Sequence, residues 1–243
     1  CGEGVLSLHS SGQAWHPPSF RQHPGPVGRG GVIAAGGLGS YAVTWRWDAG
    51  LGRAQLYVWD LDEDPDVGSF AGHEGPVLAA ALTADSERLL SASLDHTLWV
   101  WSVRPVQSEP LAILRGHSGP VADVQVAANN EVTLSASWDG TLRLWSLGGH
   151  YPLMAVFAGH TDRVLACAVH PEGRSAVSAS ADRTLRLWDL ASGRTLAVLA
   201  GHDAAVTGCA FTRDGRVVSR SLDGTLALWD AGSGTRLAVL RGH

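Results

Sequence analysis

Short apolar runs separated by turn-forming residues are the dominant pattern along this chain. VLAAAL (77–82), RLLSAS (88–93), TLWVW (97–101) and LAILR (111–115) succeed one another with polar, turn-rich connections between them. Runs of five or six residues bounded by such signals predict strands rather than helices. Ala-Asp-Ser, Pro-Glu-Gly and Arg-Asp-Gly punctuate equivalent places further on, so the pattern is a repeated one. The expectation is an all-β chain of four short strands per unit.

Three markers fix the period. Gly-His pairs stand at Gly72-His73, Gly116-His117, Gly159-His160, Gly201-His202 and Gly242-His243, with His-to-His steps of 44, 43, 42 and 41 residues. Trp followed by Asp or Ser recurs at Trp59, Trp101, Trp145, Trp188 and Trp229. Six residues before each of the last four tryptophans lies a turn Asp: Ser-Leu-Asp95-His-Thr, Ser-Trp-Asp139-Gly-Thr, Ser-Ala-Asp182-Arg-Thr and Ser-Leu-Asp223-Gly-Thr. The Asp-Gly-Thr step suits a tight hairpin. An Asp nearly buried there needs hydrogen-bond partners, because desolvating it unpaired is costly. Four strands in a period of about 40–45 residues is the pattern of a β-propeller blade.

On these markers the chain resembles WD40 repeat proteins over nearly its whole length. The resemblance implies that the His of Gly-His, a Ser or Thr, the turn Asp and the Trp indole form one hydrogen-bonded set per blade. Taking the serine two residues before the Asp, the sets are His73, Ser93, Asp95, Trp101; His117, Ser137, Asp139, Trp145; His160, Ser180, Asp182, Trp188; and His202, Ser221, Asp223, Trp229. An earlier copy runs from Gln22-His23-Pro-Gly-Pro-Val through Asp48 to Trp59, with Arg46 where Ser is expected. Upstream again, Glu3-Gly-Val-Leu-Ser-Leu-His9 aligns with Asp139-Gly-Thr-Leu-Arg-Leu-Trp145. The implied organisation is a partial blade over 1–20 and repeats over 21–70, 71–114, 115–157, 158–199 and 200–241. That is five four-stranded blades plus two strands of a sixth. Because propellers protect their edges by closing, the expectation is an incomplete fragment, completed by the rest of a parent chain.

Composition narrows the function classes. Eighteen basic residues are scattered among twenty-three acidic ones for a net charge of −5, with no basic run, so direct nucleic-acid binding is not expected. No apolar stretch approaches the ~20 residues that span a bilayer, so no membrane association is expected. Three cysteines, Cys1, Cys167 and Cys209, make no disulfide framework and fit a reduced intracellular compartment, cytoplasmic or nuclear. Cys167 and Cys209 share one repeat position with Ala80 and Val124, which reads as a small buried apolar slot.

His, Ser and Asp together suggest a hydrolase triad, yet the set recurs in every blade and is capped by Trp, and no Gly-x-Ser-x-Gly elbow lifts a serine out. The reading is therefore no enzyme and no catalytic residue. His9, His16 and His23 lack Cys or carboxylate partners at ligand spacing, so no metal is expected, and absent phosphate-loop and dinucleotide fingerprints argue for no cofactor. The acidic stretch from Asp60 to Asp66 reads as a solvated loop.

What differs between repeats carries the functional expectation. The resemblance implies partner contacts at the residue before the turn Asp, and at the first and third residues after Gly-His. Trp47, Leu94, Trp138 and Leu222 hold the former positions and Arg163 one of the latter. Trp and Arg are favoured interface anchors, so other proteins are the expected partners, bound around Trp138. The function implied is a protein-interaction scaffold. One alternative is the sensor region of a larger signalling ATPase of the NACHT or AP-ATPase type, or of a telomerase-associated WD-repeat protein. Another is a cullin ubiquitin-ligase substrate adaptor, since Leu89–Asp95 with Val100–Arg104 is similar to an adaptor-docking box, though Ser102 stands where that box carries an acid.

Overall fold

A computed structural model describes residues 33–36, 40–60 and 68–241. Within them the apolar runs are strands and the turn signals are the hairpins between them. β1 (Ile33–Gly36), β2 (Ser40–Asp48), β3 (Arg53–Asp60) and β4 (Gly68–Ala71) form the first sheet. β5 (Val77–Leu82), β6 (Arg88–Ser93), β7 (Leu98–Ser102) and β8 (Ala112–Leu114) form the second. The third holds β9 (Val121–Val126), β10 (Val132–Ser137), β11 (Thr141–Ser146) and β12 (Leu153–Ala158). β13 (Val164–Val169), β14 (Ser175–Ser180), β15 (Thr184–Asp189) and β16 (Thr195–Ala200) make the fourth. The fifth is β17 (Val206–Phe211), β18 (Val217–Ser221), β19 (Thr225–Trp229) and β20 (Arg236–Arg241). Each sheet is an antiparallel meander with its strands in chain order, and the five sheets are WD40 blades in tandem. The partial blade expected over 1–20, along with His9, His16, His23 and the acidic residues 61–66, lies outside the described residues.

The sheets pack face to face in sequence order, and the strand sequences show why. In β6 the side chains alternate across the sheet. Leu89 therefore enters the core shared with the first sheet, and Leu90 the core shared with the third. Equivalent cores lie between the third and fourth sheets, around Leu134 and Trp188, and between the fourth and fifth, around Leu187 and Trp229. The first strands β5, β9, β13 and β17 lie side by side and line a central channel. A register shift recurs in each of them, between Val77 and Ala79 in the second sheet and between Val206 and Gly208 in the fifth. Such bulges re-aim the side chains that follow.

The repetition stops at the fifth sheet. Phe70, Leu114, Phe157 and Leu199 are all buried under the following sheet, but their counterpart Leu240 is 60% exposed, and Val218, Leu226 and Leu228 beside it are partly open. Among the described residues nothing covers that face.

Candidate functional site: the hydrogen-bonded sets and the face above them

Four complete sets hold the last four sheets. In the third sheet the His117 Nδ1 lies 2.8 Å from Asp139 Oδ2, its Nε2 lies 2.8 Å from Ser135 Oγ, and Trp145 Nε1 donates to the same Oγ at 3.0 Å. The second, fourth and fifth sheets repeat this through His73, Ser91, Asp95 and Trp101; His160, Ser178, Asp182 and Trp188; and His202, Ser219, Asp223 and Trp229. An indole nitrogen only donates and a carboxylate only accepts. The indole therefore donates to the serine, and the imidazole Nδ1–H donates to the carboxylate.

The serine assigned from sequence is corrected by this geometry. The hydroxyl in each set belongs to the residue four before the Asp (Ser91, Ser135, Ser178, Ser219), not two before it. Both serines of Ser-x-Ser face the same side of the strand, but the earlier one sits deeper, between the imidazole and the indole. Ser93, Ser137, Ser180 and Ser221 do other work. Each accepts the amide N–H of the turn Asp at 3.1 Å and donates to a carbonyl of the loop after Gly-His, as Ser137 does to Gly119 O at 3.0 Å. They pin the turn to that loop. The first sheet also departs from expectation. Arg46 is turned aside to Gln55, and Trp59 Nε1 donates to Thr44 Oγ1 at 2.9 Å. Thr44 lies four residues before Asp48, the spacing that identifies the set hydroxyl in all five sheets.

The turn aspartates are strongly held as anions. Burial pushes the Asp95 carboxyl up, but His73 and the two bonds from Thr97 outweigh it and bring it down to about 2 from an ordinary 3.8. Asp182 is likewise held at about 2, burial being outweighed by Thr184 and His160, and Asp139 and Asp223 lie well below the carboxylate range for the same reasons. Burial depresses His160 below its ordinary 6.5, a shift that Asp182 only partly offsets.

These bonds place the expected contact residues at one end of the sheets. The amides of Leu94, Trp138, Ala181 and Leu222 each donate at 2.9 Å to the third residue after Gly-His, which is Pro76, Pro120, Arg163 or Ala205. The two classes of position named from sequence are thus one continuous surface, here called the top face. Leu222 is 73% exposed, Leu94 38% and Trp138 37%. The guanidinium of Arg163, from the loop entering the fourth sheet, sits 5.4 Å above the Trp138 ring of the third. Trp47 is different: it is partly buried and packs on the core between the first two sheets. Of the adaptor-box residues, Ser102 is buried with its hydroxyl on Pro105 O, while the exposed Arg104 pairs with Asp60 and lies over Tyr41.

Two channel features escaped the sequence reading or were sharpened by the structure. Cys167 and Cys209 do occupy one slot, where burial pushes both thiols up, far from thiolate character. Beside them Asp123 stands where Ala79, Ala166 and Gly208 stand in the sister strands. Its Oδ2 accepts the Cys167 N–H of the next sheet at 2.9 Å and its Oδ1 the Val124 N–H at 2.8 Å. Burial outweighs these bonds and the charge of Arg220, and the carboxyl is pushed up to about 6. A carboxyl whose folded value lies above its unfolded one favours folding below the unfolded value and loses that contribution as pH rises. Asp123→Ala, which copies the sister strands, is therefore expected to gain stability relative to the parent chain as pH rises from 3.8 to 6 and to level off above. Urea unfolding across that window measures it, and a constant offset would show that this carboxyl does not titrate there. Among the described residues no group of His, Cys, Asp and Glu is placed to hold a metal, and no helix is long and apolar enough to cross a membrane.

The WD domain, G-beta repeat family model matches residues 65–102, 108–146, 151–189 and 193–230, more than half of the chain, and the protein belongs to that family. Each matched stretch runs from the outer strand of one sheet to the third strand of the next, so a sequence repeat straddles two blades. The chain is 30% identical over 86 residues to periodic tryptophan protein 2 of Saccharomyces cerevisiae, covering 35% of this chain and 8% of that protein. It is 29% identical over 86 residues to the homologue of that protein in Neurospora crassa, with the same coverage. It is 41% identical over 64 residues to the ribosome biogenesis protein ytm1 of Aspergillus oryzae, covering 23% of this chain and 13% of that protein. The matches thus span a small part of each relative's length.

Proposed function

We propose that this chain is a non-enzymatic interaction scaffold whose protein partners bind the top face around Trp138. WD40 repeats bind proteins, and the observation that carries the finer reading is the exposed Trp138 ring braced by Arg163 from the neighbouring sheet. Leu94 on the second sheet and Leu222 on the fifth add exposed apolar positions at the same end, with Trp47 contributing the part of its ring left uncovered. A large exposed aromatic held in place by packing is the usual form of an interface anchor. The closed polar sets support the absence of catalysis. Every set serine is buried between an imidazole and an indole, so no substrate reaches its hydroxyl.

Trp138→Ala is the test. Loss of an anchor of this kind costs ~2 kcal/mol or more, about thirtyfold in affinity, while folding stability should change by less than ~1 kcal/mol for a side chain this exposed. Quantitative co-purification with a matched urea melt reads both. Unchanged partner recovery would sink the proposal.

We place the protein in an intracellular compartment, cytoplasmic or nuclear. The relatives named above favour a parent of the periodic-tryptophan or ribosome-biogenesis type over a signalling ATPase or a telomerase-associated protein, whose names none of them carries. The adaptor reading is weakened by the burial of Ser102. The uncovered face of the fifth sheet carries the same apolar positions that bury against a following sheet elsewhere, which supports the view that further chain of the parent packs there.

A further inference from the structure

The uncovered face of the fifth sheet is not a plain copy of the faces before it. Val218, Leu226, Leu228 and Leu240 point outward, and Arg220 stands among them as the one charged side chain. In the second, third and fourth sheets the equivalent of Arg220 is Ala92, Ala136 or Ala179, each fully buried under the following sheet. The residue opposite it differs as well. The cross-strand pairs are Ala79 with Ala92, Asp123 with Ala136 and Ala166 with Ala179, but Gly208 with Arg220. The arginine lies folded over that glycine, where a Cβ would stand 2.5 Å from its Nε. The two departures belong together, since the missing side chain at 208 makes room for the long one at 220.

Arg220 is exposed, and among the described residues its guanidinium takes part in no ion pair or hydrogen bond. Asp123, across the channel, feels its charge but holds two backbone N–H groups instead. The Asp223 carboxylate is taken up by His202 and Thr225. A sheet packed here as on the other faces would close over the guanidinium, and burying a charge unpaired is far costlier than burying it with a partner. Elsewhere the second strand of a sheet meets the next sheet through the fourth and seventh residues after the His of Gly-His. Val121 and Val124 share a core with Ala92, and Val164 and Cys167 share one with Ala136. Resting on the reading that further chain of the parent packs on this face, we infer that the covering sheet carries an Asp or Glu at one of those two positions. Arg220 then selects that sheet by excluding an apolar strand. A second copy of this chain does not meet the requirement. In the second to fifth sheets Val fills the first position and Ala, Val or Cys the second, and two fifth sheets face to face would set Arg220 against Arg220.

A blade supplied in phase tests this. Residues 118–160 are appended to the whole chain after His243, because Gly116-His117 and Gly242-His243 are equivalent. The appended copy keeps its Val124 in one protein and carries Val124→Asp in the other, and amide exchange over β18 and β19 is followed by mass spectrometry. With Arg220 in place, the aspartate extension should slow that exchange at least about tenfold more than the valine one. Arg220→Ala, and Gly208→Ala/Arg220→Ala, which copies the sister sheets, should reverse the order. Equal or better protection by the valine extension with Arg220 present, or an aspartate preference that survives both substitutions, overturns the carboxylate requirement. If the valine extension still protects Gly208→Ala/Arg220→Ala in that case, a sheet does pack on this face and only its charge falls. If neither extension slows exchange in any of these chains, the packing reading falls together with the inference.

Discussion

Asp139→Ala is expected to be the most damaging single change outside the aliphatic core, lowering stability by ~3–5 kcal/mol. One carboxylate accepts the His117 Nδ1–H, the Ser118 N–H and both the N–H and the hydroxyl of Thr141. Truncation leaves these donors without an acceptor, in a place where His117 is closed to water. Ser135→Ala is expected to cost ~2–4 kcal/mol, because the Trp145 indole and the His117 Nε2 are both stranded. Ser137→Ala should cost only ~1–2 kcal/mol, since the turn keeps its other bonds and loses one pin to Gly119. Urea unfolding of the three variants gives the order directly. A larger loss for Ser137→Ala than for Ser135→Ala would contradict the assignment of the set hydroxyl.

Acidification should unfold the protein in two stages. The folded value of His160 lies below its unfolded 6.5, so the unfolded chain takes up a proton that the folded one resists, and stability falls as pH drops below 6.5. The turn aspartates act lower. Asp95 and Asp182 are at about 2 when folded and 3.8 when unfolded, so their contribution is complete above 3.8 and is lost as pH falls towards 2, with Asp139 and Asp223 continuing the loss beyond. Asp123 works against the first stage, since it gains with acidification between 6 and 3.8. The expected profile is a shallow decline from pH 6.5 to 4, steeper in Asp123→Ala, followed by a steep fall below 4. Chemical denaturation at half-unit steps checks it, and flat stability between pH 4 and 2 would show that the aspartates are not held as the geometry implies.

Much of this was legible in the residues because the repeat makes every motif its own control. Five Gly-His and Trp markers at nearly constant spacing give the strand order and the blade, and a feature shared by all blades reads as structural. The same logic misled where two residues repeat together. Ser-x-Ser recurs as a unit in four sheets, and spacing alone does not say which hydroxyl meets the indole. The first sheet would have told, since Thr44 keeps the four-residue spacing to Asp48 while Arg46 breaks the other. Asp123 was missed for the opposite reason: a single acidic residue where the sister strands carry Ala or Gly has no counterpart to draw notice.

By itself, the sequence determined the all-β repeat, the strands and their turns, and the identity of the conserved-in-place His, Asp and Trp of each set, because local periodicity and turn chemistry act over a few residues. Only the tertiary structure decided which serine closes each set, that Arg163 of one sheet braces Trp138 of another, and that Trp47 is largely spent on the core. It also showed that the face bearing Leu240 is left uncovered among the described residues. Each of those depends on distances between separate strands and loops of the chain, or on what a neighbouring sheet does or does not cover, and no pattern within a single strand contains that information.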